Sequence, residues 1–302
     1  MHLSRAAVIL LWLLAAIPWP RAFAQGSAPP SLEPESGQLA TAPAGAPGVI
    51  RIVSFNVHHA DDVPALTLAI QRNSGLCSAD VFLLQEMESF PAEGASRTRK
   101  LAERLGLNYV YAPARLKEAG DGTHGLAVLS RFPLSEVEVI PLKQYGLGVN
   151  TRRRIALGVT LELGERRLRL YNVHLDTRIN ARQRIEQLQP IVEAARRYGA
   201  AEVVIGGDFN TNPFYWLLPV LPVFRSNQAK AVDDFMGQKG FATPFAEAGG
   251  TIRKWGGRFR VDTIYGRGLT ARGFAVEESV AVSDHFPVWV DLAWTEKPAA
   301  TP

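Results

Sequence analysis

Residues 154–175 read Arg154-Ile-Ala-Leu-Gly-Val-Thr-Leu-Glu-Leu163, then Gly164-Glu165-Arg166, then Arg167-Leu-Arg-Leu-Tyr-Asn-Val-His-Leu175. In the first run Ile155, Leu157, Val159, Leu161 and Leu163 alternate strictly, as a strand with one buried face requires. The short polar turn between the runs reads as a hairpin. A hairpin is antiparallel, so a purely parallel barrel is disfavoured. In the second run Leu168, Leu170, Asn172 and His174 share one parity, which turns an amide and an imidazole toward the apolar side. Polar groups placed there need partners.

Working outward, further strand-like runs cover Val49 to Val57, Val81 to Gln85, Leu126 to Arg131, Val203 to Gly207, Val261 to Tyr265 and Val288 to Ala293. Leu66, Ala69, Ile70 and Asn73 keep helical spacing. So do Ile185, Leu188, Ile191, Val192 and Ala195, although Pro190 is expected to kink or restart that helix. Strands alternating with helical patterns around a hairpin leave sheet packed on sheet with helices outside. A chain of 302 residues with 47% hydrophobic and 21% charged side chains is globular in composition. Cys77 alone permits no internal disulfide, and no Cys/His spacing closes around zinc.

Met1 to Arg5 is short and basic, Ala6 to Ile17 is apolar, and Ala22-Phe23-Ala24 offers small residues at a cleavage site. Residues 1–24 are therefore read as a signal peptide, and the protein as exported, periplasmic or secreted. A dozen apolar residues fall short of the roughly 20 that span a bilayer. Leaving out Arg5 and Arg21 lowers the formal charge from +4 to +2, which names no partner. Residues 25–48, mostly Ala, Pro, Gly, Ser and Glu, read as a disordered linker, 49–296 as one folded domain and 297–302 as a tail.

Polar residues interrupt the apolar runs at their ends. Val204-Ile-Gly-Gly-Asp208-Phe-Asn210 places an Asp and an Asn two apart, on one side of an extended chain. Asn56 and His58 end the first strand, Glu86 ends another, and Asp262, Asp284 and His285 follow near the C-terminus. Each has an ordinary reading: Asp208 as a turn residue, His174 as a hydrogen-bonded core group, Asn56 as a tie, Glu86 and Asp284 as caps. Their recurrence at six strand ends does not. Carboxylates, amides and imidazoles converging without a cysteine nucleophile or a Gly-x-Ser-x-Gly elbow suggest hard-cation chemistry with an activated water.

At these residues the chain resembles the endonuclease/exonuclease/phosphatase superfamily. The motifs lie in that family's order: Ser-Phe-Asn56, Leu-Gln-Glu86, Leu-Ser130-Arg131-Phe-Pro, Asn172-Val-His174-Leu-Asp, Gly-Asp208-Phe-Asn210-Thr, Arg-Val-Asp262 and Ser-Asp284-His285-Phe-Pro. The resemblance implies a four-layer α/β sandwich, two packed, mostly antiparallel mixed sheets flanked by helices. It implies that Glu86, with Asn56 and Asp284, holds Mg²⁺ or Mn²⁺. Asp208 would accept a proton from the attacking water, Asn210 would orient that water or a phosphate oxygen, and His174 would stabilise developing charge. Asp262 would orient His285; whether Asp208 or His285 is the base stays open. His58 and Asn172 are further site candidates, His58 standing where members that cut at abasic sites carry an acidic residue.

The expected activity is metal-dependent hydrolysis of phosphate esters, most of all diesters, by an exported monomer with no protein partner indicated. The substrate class is open between nucleic acid, phospholipid head group and small phosphoester. The alternative is a catalytically silent phospho-ligand-binding protein of the same fold. Selectivity is expected in loops, chiefly the apolar stretch Pro213 to Phe224 with Trp255 and Arg258, read mainly as edge packing, and in the basic clusters Arg152-Arg153-Arg154 and Arg253-Lys254.

Overall fold

The computed structural model describes residues 31–295 except 42, 44, 46, 119–120, 148–151, 218–220, 225 and 255–256. The leader, residues 25–30 of the linker, Trp255 and the tail lie outside the described residues. Along the chain run β1 (Glu35–Gly37), β2 (Val49–Asn56), α1 (Val63–Arg72), α2 (Ser74–Cys77), β3 (Val81–Ser89), α3 (Arg97–Leu105), β4 (Asn108–Leu116), β5 (Thr123–Ser130), β6 (Leu134–Pro141), β7 (Ile155–Leu163), β8 (Arg166–His174), α4 (Ala181–Tyr198) and β9 (Val203–Asp208). They are followed by the ribbon β10 (Phe214–Leu217) with β11 (Leu221–Phe224), then α5 (Gln228–Gln238). A second ribbon, β12 (Ile252–Lys254) with β13 (Gly257–Phe259), precedes β14 (Asp262–Arg267), β15 (Leu269–Val276) and β16 (Val288–Trp294).

Two sheets carry the fold. The seven-stranded sheet has the order β1-β4-β5-β3-β2-β16-β15 and the five-stranded sheet β14-β9-β8-β7-β6. Only two neighbours run parallel among these strands, β2 with β3 and β8 with β9, each pair joined through helix. The opening hairpin is present as β7 and β8, with Leu163 paired to Arg166 around Gly164, whose φ of +69° suits a residue without Cβ.

Alternation sorts the core into layers. Ile50, Ile52, Val81, Leu83 and Val128 of one sheet meet Leu157, Leu170, Val204 and Ile264 of the other. The opposite faces are covered too: Leu66, Ile70, Leu76 and Leu101 of the first three helices pack on Val53, Phe55, Phe82 and Leu84. Leu188, Ile191, Val232 and Met236 of α4 and α5 pack on Tyr171, Val173, Val203 and Ile205. Each such aliphatic side chain contributes about 1.5–3 kcal/mol on burial, which fixes the four-layer sandwich without any disulfide.

Three expectations need correcting. The stretch read as linker contains β1, antiparallel to β4 with Glu35 opposite Tyr111, and its path is held by the Tyr109 hydroxyl on Glu35 Oε1 (2.9 Å) and by Asn108 Oδ1 accepting from Leu39 and Ala40 N–H (2.8 Å each). Composition hid a segment whose order comes from backbone pairing. Second, α4 does not restart at Pro190 but continues through it as one helix, the burial of its Leu188, Ile191 and Ala195 face offsetting the missing hydrogen bond. Third, the apolar stretch after Pro213 packs on the domain's own edge only in part. It forms the separate β10-β11 ribbon, with Phe214 and Trp216 half-buried and Tyr215, Leu217 and Leu221 exposed.

Candidate active site

The two parallel pairs send the C-terminal ends of β2, β3, β8 and β9 to one end of the sandwich. There Asn56, Glu86, His174 and Asp208 meet. Asp262 begins antiparallel β14 directly opposite Asp208, and His285 sits in the loop leading into β16. Each sheet therefore supplies part of the cluster.

Local backbone seats the side chains. Glu86 falls at a bulge, where the β3-β5 register shifts between Gln85 and Met87, and takes φ +61°. Asn210 takes φ +52°, and His58, His59 and Ala60 follow one another at φ +46°, +73° and +52°. Left-handed backbone at non-glycine residues costs about 1–3 kcal/mol each, and all five lie at this end of the molecule. The Gly-Gly before Asp208 has two uses: a Cβ on Gly206 would strike Leu83 of the facing sheet, and one on Gly207, at φ +146°, would strike the Val173 carbonyl.

At the centre, Asn56 Nδ2 donates to Asp208 Oδ2 (3.0 Å) and Glu86 Oε1 (3.3 Å), while Asn56 Oδ1 accepts the His58 N–H (3.1 Å). Asn56 thus reaches the carboxylates as a donor; service as an oxygen ligand to a metal would need the amide turned over. His174 Nε2 lies 3.5 Å from Asp208 Oδ2 and 3.9 Å from Glu86 Oε1. His285 Nδ1 is 2.9 Å from Asp262 Oδ2, and its Nε2 is 3.9 Å from Asp208 Oδ2. Asp208 Oδ1 accepts the Asn210 N–H (2.8 Å), and Asn210 Nδ2 donates to the Leu175 carbonyl (2.9 Å). Asn210 lines the pocket while being held as a turn residue.

Burial and neighbours set the charges. Burial raises the Asp208 carboxyl, with the nearby Asp262 charge adding to it against the pull of His285. For His285 burial acts to lower the pKa, but the Asp262 and Asp208 carboxylates override it and hold the ring protonated. Burial, reinforced by Arg154, His124 and His285, drives His174 well below the usual imidazole value, so it stays neutral. One neutral and one cationic imidazole thus flank a carboxylate that can take up a proton near neutrality.

The cluster opens into a pocket of about 380 Å³, within the range of small-ligand sites. Arg152, Arg154 and Arg178 line it, and Trp216, Ile252 and Phe259 form an apolar wall from the two ribbons. The backbone of Trp216 is fixed by Asn180, whose Oδ1 accepts its main-chain N–H (2.8 Å) and whose Nδ2 donates to its carbonyl (3.1 Å). Of the expected site residues, Asn172 stands apart. Its Oδ1 accepts from Gln85 Nε2 (2.7 Å) and its Nδ2 donates to the Leu84 and Ala127 carbonyls (2.8 Å each), so it ties the sheets together beneath the pocket. His58 is at the rim, Nδ1 3.6 Å from Asp284 Oδ1.

Among the described residues three groups bring potential metal-ligand atoms within 4.8 Å of one another. In Asp208, Asp262 and His285 the imidazole is committed to Asp262. In His59, Glu88 and His124 the Glu88 carboxylate is taken up by Lys117 and by Arg97 (3.3 Å). The group of His58, His59 and Glu86 faces the pocket, which Asp284 also lines, and Glu86 offers a divalent cation a carboxylate donor. His59, Glu88, Arg178 and Trp216 were not singled out by sequence reasoning. The paired imidazoles of His58-His59 were the available signal for the first.

The sequence model of the Endonuclease/Exonuclease/phosphatase family matches residues 53–285. Solved structures share the build. One is the endonuclease/exonuclease/phosphatase from Beutenbergia cavernae DSM 12333, with TM-score 0.65 and 20% identity over 84% of this chain and 74% of that one. Another is the human Nocturnin catalytic domain with bound sulfate anion, with TM-score 0.61 and 19% identity over 83% and 97%. A third is a mannosyl-6-phosphatase of Bacteroides thetaiotaomicron VPI-5482, with TM-score 0.58 and 17% identity over 81% and 100%. At these identities the likeness is one of fold. No curated protein matches the chain. Since the matched stretch runs from β2 to His285 and contains every strand end that meets at the pocket, the chain belongs to the Endonuclease/Exonuclease/phosphatase family.

Proposed function

We propose that the chain is an exported, divalent-cation-dependent phosphodiesterase in which Asp208 activates the attacking water. The observation that carries this reading is the setting of Asp208: a buried carboxyl with a raised pKa, between neutral His174 at 3.5 Å and protonated His285 at 3.9 Å. A general base is most effective when its pKa lies near the working pH. His285, kept cationic by Asp262, faces the same oxygen and offers charge to a phosphoryl group entering from the pocket. His174 offers a neutral ring to the same volume. Glu86 and Asp284 would hold the cation, whose chemistry when bound is to polarise the phosphate. Asn56 keeps Glu86 and Asp208 in register by donating to both. The basic, apolar leader in residues 1–24 supports export.

Arg152, Arg154 and Arg178 favour a second reading, because three guanidinium groups on a small pocket suit a dianionic phosphate monoester. The mannosyl-6-phosphatase fold neighbour is compatible with that. The test compares bis-(4-nitrophenyl) phosphate with 4-nitrophenyl phosphate, in Mg²⁺, Mn²⁺ or chelator, for wild type and Asp208→Asn. Cation-dependent diester turnover falling at least about 100-fold in the variant supports the proposal. Preference for the monoester supports the second reading. Turnover unchanged in a folded Asp208→Asn protein sinks the role of Asp208, and no turnover of either ester favours a binding protein.

A further inference from the structure

We infer that the cation at Glu86 is held by imidazole nitrogen as well as carboxylate oxygen, His59 and His58 being ligands, so that the chain selects a borderline transition ion over Mg²⁺. The inference rests on reading this pocket as a cation site.

The three consecutive left-handed residues His58, His59 and Ala60 turn the chain sharply just after Asn56 and bring both imidazoles to the Glu86 side of the pocket. His59 then stands between two carboxylates. Its Nδ1 lies 3.0 Å from Glu88 Oε1 and its Nε2 lies 3.6 Å from Glu86 Oε2. Nε2 is the nitrogen turned toward Glu86, and with the single proton of a neutral ring on Nδ1 its lone pair would be available to an ion there. Carboxylate, histidine and metal in line is the arrangement by which outer-shell acids fix the tautomer and raise the basicity of ligating imidazoles.

Glu88 suits the outer position. It is buried and engaged by Lys117 and Arg97, so it stands 3.0 Å behind His59 Nδ1 without reaching the ion itself. Two atoms each about 2.1 Å from one ion lie roughly 3–4 Å apart; His59 Nε2 to Glu86 Oε2 measures 3.6 Å, and ligand atoms of His58, His59 and Glu86 all lie within 4.8 Å of one another. The ring of His58 also packs at 4.9 Å from that of His59, which limits its freedom at the rim. Imidazole ligands suit Mn²⁺ weakly and Co²⁺ or Zn²⁺ well, whereas Mg²⁺ prefers oxygen and keeps its waters. The competing account is that His59 is an imidazolium bridging two carboxylates, in which case it would resist a cation.

The test titrates metal-free protein with Co²⁺, read by visible absorption, and with Mg²⁺ by competition, in wild type, His59→Asn, His58→Asn and Glu86→Gln. Asn tolerates left-handed backbone, and circular dichroism checks the fold of each variant. Expected is Co²⁺ binding about 100-fold tighter than Mg²⁺, weakened about 10- to 100-fold in His59→Asn while Mg²⁺ affinity shifts less than about threefold. If both histidine variants leave the Co²⁺ to Mg²⁺ ratio as in wild type while Glu86→Gln removes binding of both, the inference fails and the cation reading survives. If folded wild type binds neither ion, both fall together.

Discussion

His285 Nδ1 and Asp262 Oδ2 lie 2.9 Å apart with both side chains buried, and this pairing is what keeps an imidazolium inside the protein. The pair comes from opposite sheets, Asp262 at the start of β14 and His285 in the loop before β16. Asp262→Asn removes the charge that offsets desolvation of the ring. The His285 titration followed by NMR should then move down toward or below the ordinary value of about 6.5, and hydrolysis at neutral pH should fall roughly 100-fold. An unmoved titration would mean that Asp208 alone holds the proton on His285.

Asn172 makes three buried hydrogen bonds that join the two sheets. Asn172→Ala leaves a cavity and strips partners from Gln85 and two carbonyls, a loss of about 3 kcal/mol in urea unfolding. A loss under about 1 kcal/mol would show that water replaces the side chain without penalty.

Gly207 is held at φ +146° beside the Val173 carbonyl. Gly207→Ala should cost at least about 2 kcal/mol, since neither the backbone angle nor the space accepts a methyl group. The change should also slow hydrolysis by moving Asp208. Thermal unfolding and turnover of bis-(4-nitrophenyl) phosphate measure the two effects.

Glu93 accepts from Arg97 Nε (3.0 Å) and Nη2 (2.9 Å) and from Lys100 Nζ (2.8 Å). Burial acts to raise its pKa, but these two cations outweigh burial and lower it. A folded-state pKa below the unfolded one gives stability present above the ordinary carboxylate value of about 4.3, lost as pH falls through the lowered one. Because the site is partly exposed, the contribution is about 1 kcal/mol at low salt. Glu93→Gln should therefore be less stable than wild type at pH 7, with the two converging below about pH 4 in urea midpoints. A difference that stays constant with pH would rule out the ion pairs as its source.

Much of this architecture is legible in the sequence because it depends on alternation. The parity of β7, the apolar run of β3 and the polar residues ending β2, β8 and β9 each report a local rule, and together they place Asn56, His174 and Asp208 at one end. Asn172 shows the limit of parity: its inward direction was readable, but whether it faced the pocket or the opposite sheet depends on which strand of that sheet lies across from it. Glu86 is seated by a bulge, a register feature set jointly by β3 and β5. The strands β4, β6 and β15 escaped notice since Pro113 interrupts one and charged or small residues dilute the other two, edge-proximal strands with less to bury. The role of Glu88 was out of reach because its partners, His59, Arg97 and Lys117, are scattered along the chain.

One consequence follows from β16 pairing with β2. A ribosome delivers β2 first and must make more than two hundred further residues before β16 emerges, carrying Asp284 and His285 just ahead of it. Until then the seven-stranded sheet has an open edge at β2 and the pocket lacks one wall. The nascent chain therefore lacks the assembled pocket by topology, and the constellation comes into being only when the last strand closes the gap beside β2.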